Sequence, residues 1–120
     1  MRLHHLLKAK LHHARVTYAN ADYVGSIQIC EDLMSKVGIL DGELVHIWAV
    51  DHAARIETYA FSGPKGVIGL NGGAAHFFSA GDKLIIAAFA FSDTPIVPKI
   101  VLLDENNHVI RDLTPFSVLG

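Results

Sequence analysis

The chain has 120 residues, a length that fits one domain. It is 51% hydrophobic and 18% charged, with ten basic against twelve acidic side chains and a net charge of −2. This excludes the basic stripe of a nucleic-acid binder, a disulfide framework (Cys30 is the single cysteine) and a spanning helix, since the longest apolar run, Leu84 to Phe91, is far below the roughly 20 residues a span needs.

A chain this short buries only roughly two-thirds of its unfolded surface, so surplus apolar residues predict a homo-oligomer. Met1 to Lys10 is interrupted by His4, His5 and Lys8 and has no apolar stretch of signal-peptide length, so the cytoplasm is the expected compartment. Leu11 to Tyr18, with β-branched Val16 and Thr17, reads as a strand ending at Asn20-Ala21-Asp22. Tyr23 to Ile29 resumes as a strand. Glu31 to Val37 reads as a short helix, opened by two acids and capped by Gly38. After the Asp41-Gly42 turn, Glu43 to Val50 is apolar on both alternating sets, as in a strand covered on both faces. Asp51 to Ala54 reads as a hairpin connection to a strand at Arg55 to Ser62.

Gly63-Pro64-Lys65-Gly66 turns the chain into a strand at Val67 to Leu70, which Asn71-Gly72-Gly73 breaks. Ala74 to Ser79 fits one helical turn. Gly81-Asp82 then leads into the most apolar strand, Lys83 to Phe91. Beyond Pro95 and Pro98, Ile100 to Leu103 and His108 to Ile110 flank Asp104 to Asn107 as a terminal hairpin. Short strands separated by Gly-rich turns predict a mainly β domain, a small barrel rather than a parallel α/β sheet.

Few residues suggest chemistry by pattern alone. Eight histidines are present, with His4, His5, His12 and His13 near the start. On a regular strand His12 and His13 point to opposite faces, and no cysteine or His-Glu motif joins them, so surface or hydrogen-bonding roles are preferred to a metal site. There is no nucleophile elbow, phosphate loop or dinucleotide fingerprint, and Gly72-Gly73 is too short to cradle phosphate.

Four segments change this picture: Lys10-Leu11-His12, Tyr23-Val24-Gly25-Ser26, Arg55 to Ala60 and Asn71 to His76. In order and spacing they resemble the aspartate α-decarboxylases, over residues 6 to 104. The resemblance implies a homotetrameric double-psi β-barrel that cleaves itself between Gly25 and Ser26. The products would be a β chain, 1–25, and an α chain, 26–120, whose first residue becomes a covalent pyruvoyl group. It implies decarboxylation of L-aspartate to β-alanine and CO2 for pantothenate synthesis, by way of a Schiff base with the substrate amine. Some relatives need an acetyltransferase-like maturation partner.

Residue roles carried by the resemblance fit the chemistry. Ser26 Oγ attacks the Gly25 carbonyl, for which a glycine without Cβ is suited, and Thr58 and Asn71 assist at the developing oxyanion. Arg55 holds a substrate carboxylate bidentately and Lys10 adds a second positive charge. Tyr59 protonates the carbon left after CO2 departs. Thr58, Gly72, Gly73 and Ala74 line the substrate pocket, and Tyr23 borders it. Each residue also has a duller reading: a strand bulge at Gly25-Ser26, an Arg55–Glu57 surface pair, Tyr59 as a half-buried strand aromatic, Lys10 as a solvated edge lysine. Alternation sets Arg55 and Tyr59 on one strand face and Thr58 on the other, a tension that a twist, a bulge or a site between subunits relieves.

Three departures from the family pattern stand out. Val24 stands where an acid is common, Gly73 where alanine is usual, and Ala53-Ala54 where Asn-Gly is frequent. Two other readings stay open: a non-catalytic oligomeric β-barrel that binds a partner, and the same chemistry on another acidic amino acid.

Overall fold

The computed structural model describes residues 1–113; residues 114–120 of the expected 26–120 segment lie outside the described residues. The strands are β1 (His4–Arg15), β2 (Tyr18–Asn20), β3 (Ser26–Cys30), β4 (Leu44–Ala49), β5 (Arg55–Gly63), β6 (Ile68–Asn71), β7 (Lys83–Ser92), β8 (Lys99–Leu103) and β9 (Val109–Leu113). One helix, α1 (Glu31–Val37), follows β3, and a 3-10 turn (Gly72–His76) follows β6. The protein is mainly β, as its turn spacing predicts. Strand order is β2-β6-β3-β5-β4-β7-β1-β8-β9, with β1/β8, β2/β6 and β3/β5 parallel and the other pairs antiparallel.

One apolar core is shared by β1 and β3 through β8, with α1 packed on it; β2 and β9 add no residue to it. Leu11, Ile27, Ile29, Val45, Ile47, Ile68, Leu70, Leu84 and Ile86 are fully enclosed. Each such side chain contributes about 1.5–3 kcal/mol on burial, well above an exposed ion pair at about 0–1, so this cluster and not surface charge holds the strands in register. The helix matches its sequence signals: Glu31 and Asp32 in the first turn, Leu33, Met34 and Val37 buried, and Gly38 at φ 80° donating its N–H to Met34 O at 2.8 Å. Buried Asn107 ties the terminal hairpin to the end of β1, its side chain accepting from Arg15 N at 2.7 Å and donating to Arg15 O at 2.9 Å.

Several boundaries differ from the sequence reading. β1 begins at His4, not Leu11, because β7 extends to Ser92 and pairs with it from His4 to Arg15 apart from shifts at Lys8 and His13. Tyr23 to Gly25 is not strand; β3 starts at Ser26, and Tyr23 and Val24 project 63% and 83% exposed. The turn after β6 begins at Gly72 and ends at His76 instead of running from Ala74 to Ser79. Val45 and Ile47 of β4 are enclosed, but Leu44, His46 and Trp48 opposite them stay partly exposed, so one chain covers only one face of that strand.

His12 and His13 do not diverge. The β1/β7 ladder bulges between His12 and Ala14, His13 takes φ 68°, and the two rings stack at 4.1 Å.

Candidate active site

Ser26 opens β3 opposite Asn71, the last residue of β6. Both are almost enclosed, at 8% and 9% exposure. Asn71 Nδ2 donates to Ser26 Oγ at 3.4 Å, while the buried Asn71 Oδ1 has no partner. The loop that brings in Gly25 is held by Gly72. Its φ is 64°, and a Cβ there would lie 2.5 Å from the Gly25 Cα and N and 2.8 Å from Tyr23 O.

Gly25 itself is ordinary in its backbone and in its contacts with residues distant in the chain. Gly25 has no positive φ, and a Cβ on it would make ordinary contacts, 3.8 Å to Asn71 O and 3.9 Å to Gly73 N. The special backbone sits at Gly72. Nothing lies within 4 Å of a Cβ built on Gly73, so alanine fits there as readily as glycine.

Two cavities meet at Gly25 and Tyr59. One, about 400 Å³, is lined by Tyr18, Tyr23, Val24, Gly25, Ser26, Gln28, Tyr59, Phe61 and Asn71. The other, about 410 Å³, is lined by Gly25, Ile56, Glu57, Thr58, Tyr59, Gly73, Ala74 and Phe77. Thr58 and Tyr59 leave β5 on opposite faces, yet both border the second cavity, so their alternation does not keep them apart.

Lys10 and Arg55 line neither cavity. Lys10 sits mid-sheet, with Ala87 of β7 and Ile100 of β8 beside it, so it is not an edge lysine; burial lowers its ammonium pKa below the ordinary 10.5. The Arg55 guanidinium carbon lies 4.5 Å over the Trp48 ring. Glu57 faces His46 instead, Oε1 to Nδ1 at 3.8 Å, so the alternative reading of an Arg55–Glu57 surface pair is not what forms. Ladder register puts Lys10, His12, Trp48 and Arg55 on one outer face of β1, β7, β4 and β5.

Sequence reasoning missed Gln28, Phe61, Phe77 and Trp48. Gln28 and Phe61 stand two residues beyond Ser26 and Tyr59, and strand alternation would have placed them beside those neighbours. Trp48 carried no local signal, because its tie to Arg55 runs across the ladder. Among the described residues no three His, Cys, Asp or Glu side chains converge as metal ligands, and no helix is long and apolar enough to cross a membrane.

The sequence model of the aspartate decarboxylase family matches residues 1–110. An aspartate 1-decarboxylase from Exiguobacterium sibiricum is 50% identical over 114 residues, covering 90% of each chain. One from Hyphomonas neptunium is 47% identical over 112 residues, 88% of this chain and 95% of that one. One from Thermotoga petrophila is 44% identical over 108 residues, again 88% and 95%. Agreement of this extent makes the protein a carboxy-lyase. It belongs to the aspartate decarboxylase family.

Proposed function

We propose that the protein breaks its own Gly25–Ser26 bond and then converts L-aspartate to β-alanine and CO2, supplying pantothenate synthesis in the cytoplasm. The observation that carries this reading is the contact between Ser26 Oγ and the Asn71 amide, beside a Gly25 backbone that Gly72 approaches too closely for any Cβ.

Cleavage begins when Ser26 Oγ attacks the Gly25 carbonyl carbon. The peptide C–N bond breaks as the C–O ester bond forms, and the Ser26 nitrogen takes a proton. Negative charge on the former carbonyl oxygen requires donors nearby; Asn71 shares the first cavity with Gly25, Thr58 the second, and the Gly73 nitrogen lies 3.9 Å from a Cβ built on Gly25. Loss of the Ser26 α-proton expels the Gly25 carboxylate and leaves dehydroalanine, and water then releases ammonia and leaves a ketone.

The residues present fit a keto group at position 26. Among the described residues no charged side chain lines the first cavity, and Asn71 lines it beside position 26. Such a pyruvoyl group supplies an electron sink for the pair left as CO2 departs. The chain's own residues do the remaining work. Arg55 presents paired N–H donors to a carboxylate, and Lys10 adds charge whose lowered pKa reflects a partly desolvated place. Tyr59, which lines both cavities, delivers a proton to carbon; Thr58, Gly73, Ala74 and Tyr23 line the pocket, and Gly72 packs behind Gly25.

Because Lys10 and Arg55 line neither cavity of their own chain, they come from a neighbouring copy in a homotetramer of double-psi β-barrels. The exposed apolar side chains Tyr23, Leu44, Phe61 and Phe77 support such assembly.

Ser26→Ala tests the proposal. It should leave one full-length polypeptide and no β-alanine from aspartate, with the wild type giving two fragments and product. An active Ser26→Ala protein overturns it. Glutamate and cysteate, assayed alongside aspartate, separate this substrate from the alternatives.

A further inference from the structure

Two charges on the same face of β5, Arg55 and Glu57, stand two residues apart and are natural partners for each other. The structure keeps them separate. Each is engaged by the β4 residue directly across the ladder: Trp48 lies opposite Arg55 and His46 opposite Glu57. The guanidinium carbon is 4.5 Å from the Trp48 ring centre, and Glu57 Oε1 is 3.8 Å from His46 Nδ1. Among the described residues no carboxylate forms an ion pair with Arg55.

We propose that Trp48 is a positioning residue for Arg55, holding the guanidinium by its face so that Glu57 does not neutralise it and its edge donors stay open to a substrate carboxylate. This rests on Arg55 being the group that binds the substrate carboxylate. A cation over an aromatic ring is attracted through the flat face of the guanidinium, while a carboxylate is bound by the in-plane N–H groups. The two contacts use different parts of one side chain and therefore coexist. A contact between Arg55 and Glu57 would instead occupy the donors the substrate needs. At a partly exposed site the ring contact and the surface ion pair are of similar strength, so removing the ring hands the guanidinium to Glu57.

Steady-state kinetics of cleaved wild type, Trp48→Phe, Trp48→Leu and the Trp48→Leu/Glu57→Gln double variant test this. Trp48→Leu should cleave fully, keep kcat within about twofold, and raise KM for aspartate about fivefold. Trp48→Phe, which keeps an aromatic face, should recover most of that loss. Glu57→Gln in the Trp48→Leu background should bring KM back down, a rescue that a purely structural tryptophan would not show. A normally cleaved Trp48→Leu with unchanged KM, or a raised KM that Glu57→Gln leaves untouched, overturns the proposal.

Trp48 is the only tryptophan, so its fluorescence reports the contact directly. Titration with succinate should change Trp48 emission in the wild type and not in Arg55→Gln. An unresponsive wild type contradicts the assignment, and this titration decides the matter alone if Trp48→Leu does not fold. Failure of the decarboxylase reading looks different: wild type would make no β-alanine yet still show the succinate response.

Discussion

Gly72 and Gly73 are neighbours whose conformational demands differ. Gly72 carries φ 64° and packs its Cα against the Gly25 backbone, whereas Gly73 faces open space. Gly72→Ala should cost about 1–3 kcal/mol, seen as a lower melting temperature, and should slow or stop chain cleavage. Gly73→Ala should stay within about 0.5 kcal/mol of wild type and cleave normally, which also accounts for the usual alanine at that place in the family. Asn71→Ala removes the donor on Ser26 Oγ and should slow cleavage about a hundredfold, measured by the appearance of the two fragments over time. An Asn71→Ala chain that matures at the wild-type rate would remove Asn71 from that step. The Asn-Gly-Gly run was readable as a strand break. Which glycine is indispensable was not, because that depends on contact with Gly25, far away in the chain.

Elements with local signals were legible. The helix from Glu31 to Val37 has its acids, its buried Leu33, Met34 and Val37 and its Gly38 stop all within one short stretch. Strand ends set by remote partners were not. His4 and His5 look like a polar tail until β7 lies alongside, where the His5 ring stacks on Phe91 at 4.5 Å. The bulge at His12-His13 is equally invisible to alternation, since one residue at φ 68° realigns both rings. It has a measurable consequence. Burial, then the neighbouring His13 and Lys10 charges, lowers the His12 pKa to about 4, and burial also lowers that of His13. Between pH 4 and 6.5 the unfolded chain thus binds more protons at these positions than the folded one. Stability should rise with pH across that window and fall on acidification through it. Thermal melts from pH 4 to 7 should show that slope, and His12→Gln should flatten it; an equal slope in both proteins would contradict the assignment.

At the scale of the whole molecule, composition already signalled more apolar surface than one chain can hide. The structure locates some of it: Val24, Leu44, Phe61, Phe77 and Phe91 remain exposed, and the outer face of β4 is only partly covered. Spacing along the chain could not say that Lys10 stands apart from both cavities, because β4 and β7 lie between β1 and β5, whereas Arg55 opens β5 itself, next to the cavity-lining Ile56. A site completed by a second copy makes a specific prediction. Ser26→Ala and Arg55→Gln chains, each inactive, should regain decarboxylase activity when co-expressed in mixed oligomers, because some sites then combine an intact Ser26 with an intact Arg55. Mixed oligomers without activity would place every group in one chain. The central claim is the reactive Gly25–Ser26 link, and denaturing mass spectrometry of the purified protein tests it most directly. The account predicts two fragments meeting between residues 25 and 26, the larger lacking a free amino terminus and reacting with hydroxylamine as a ketone. A single unreactive full-length polypeptide, in fresh and aged preparations alike, would contradict it.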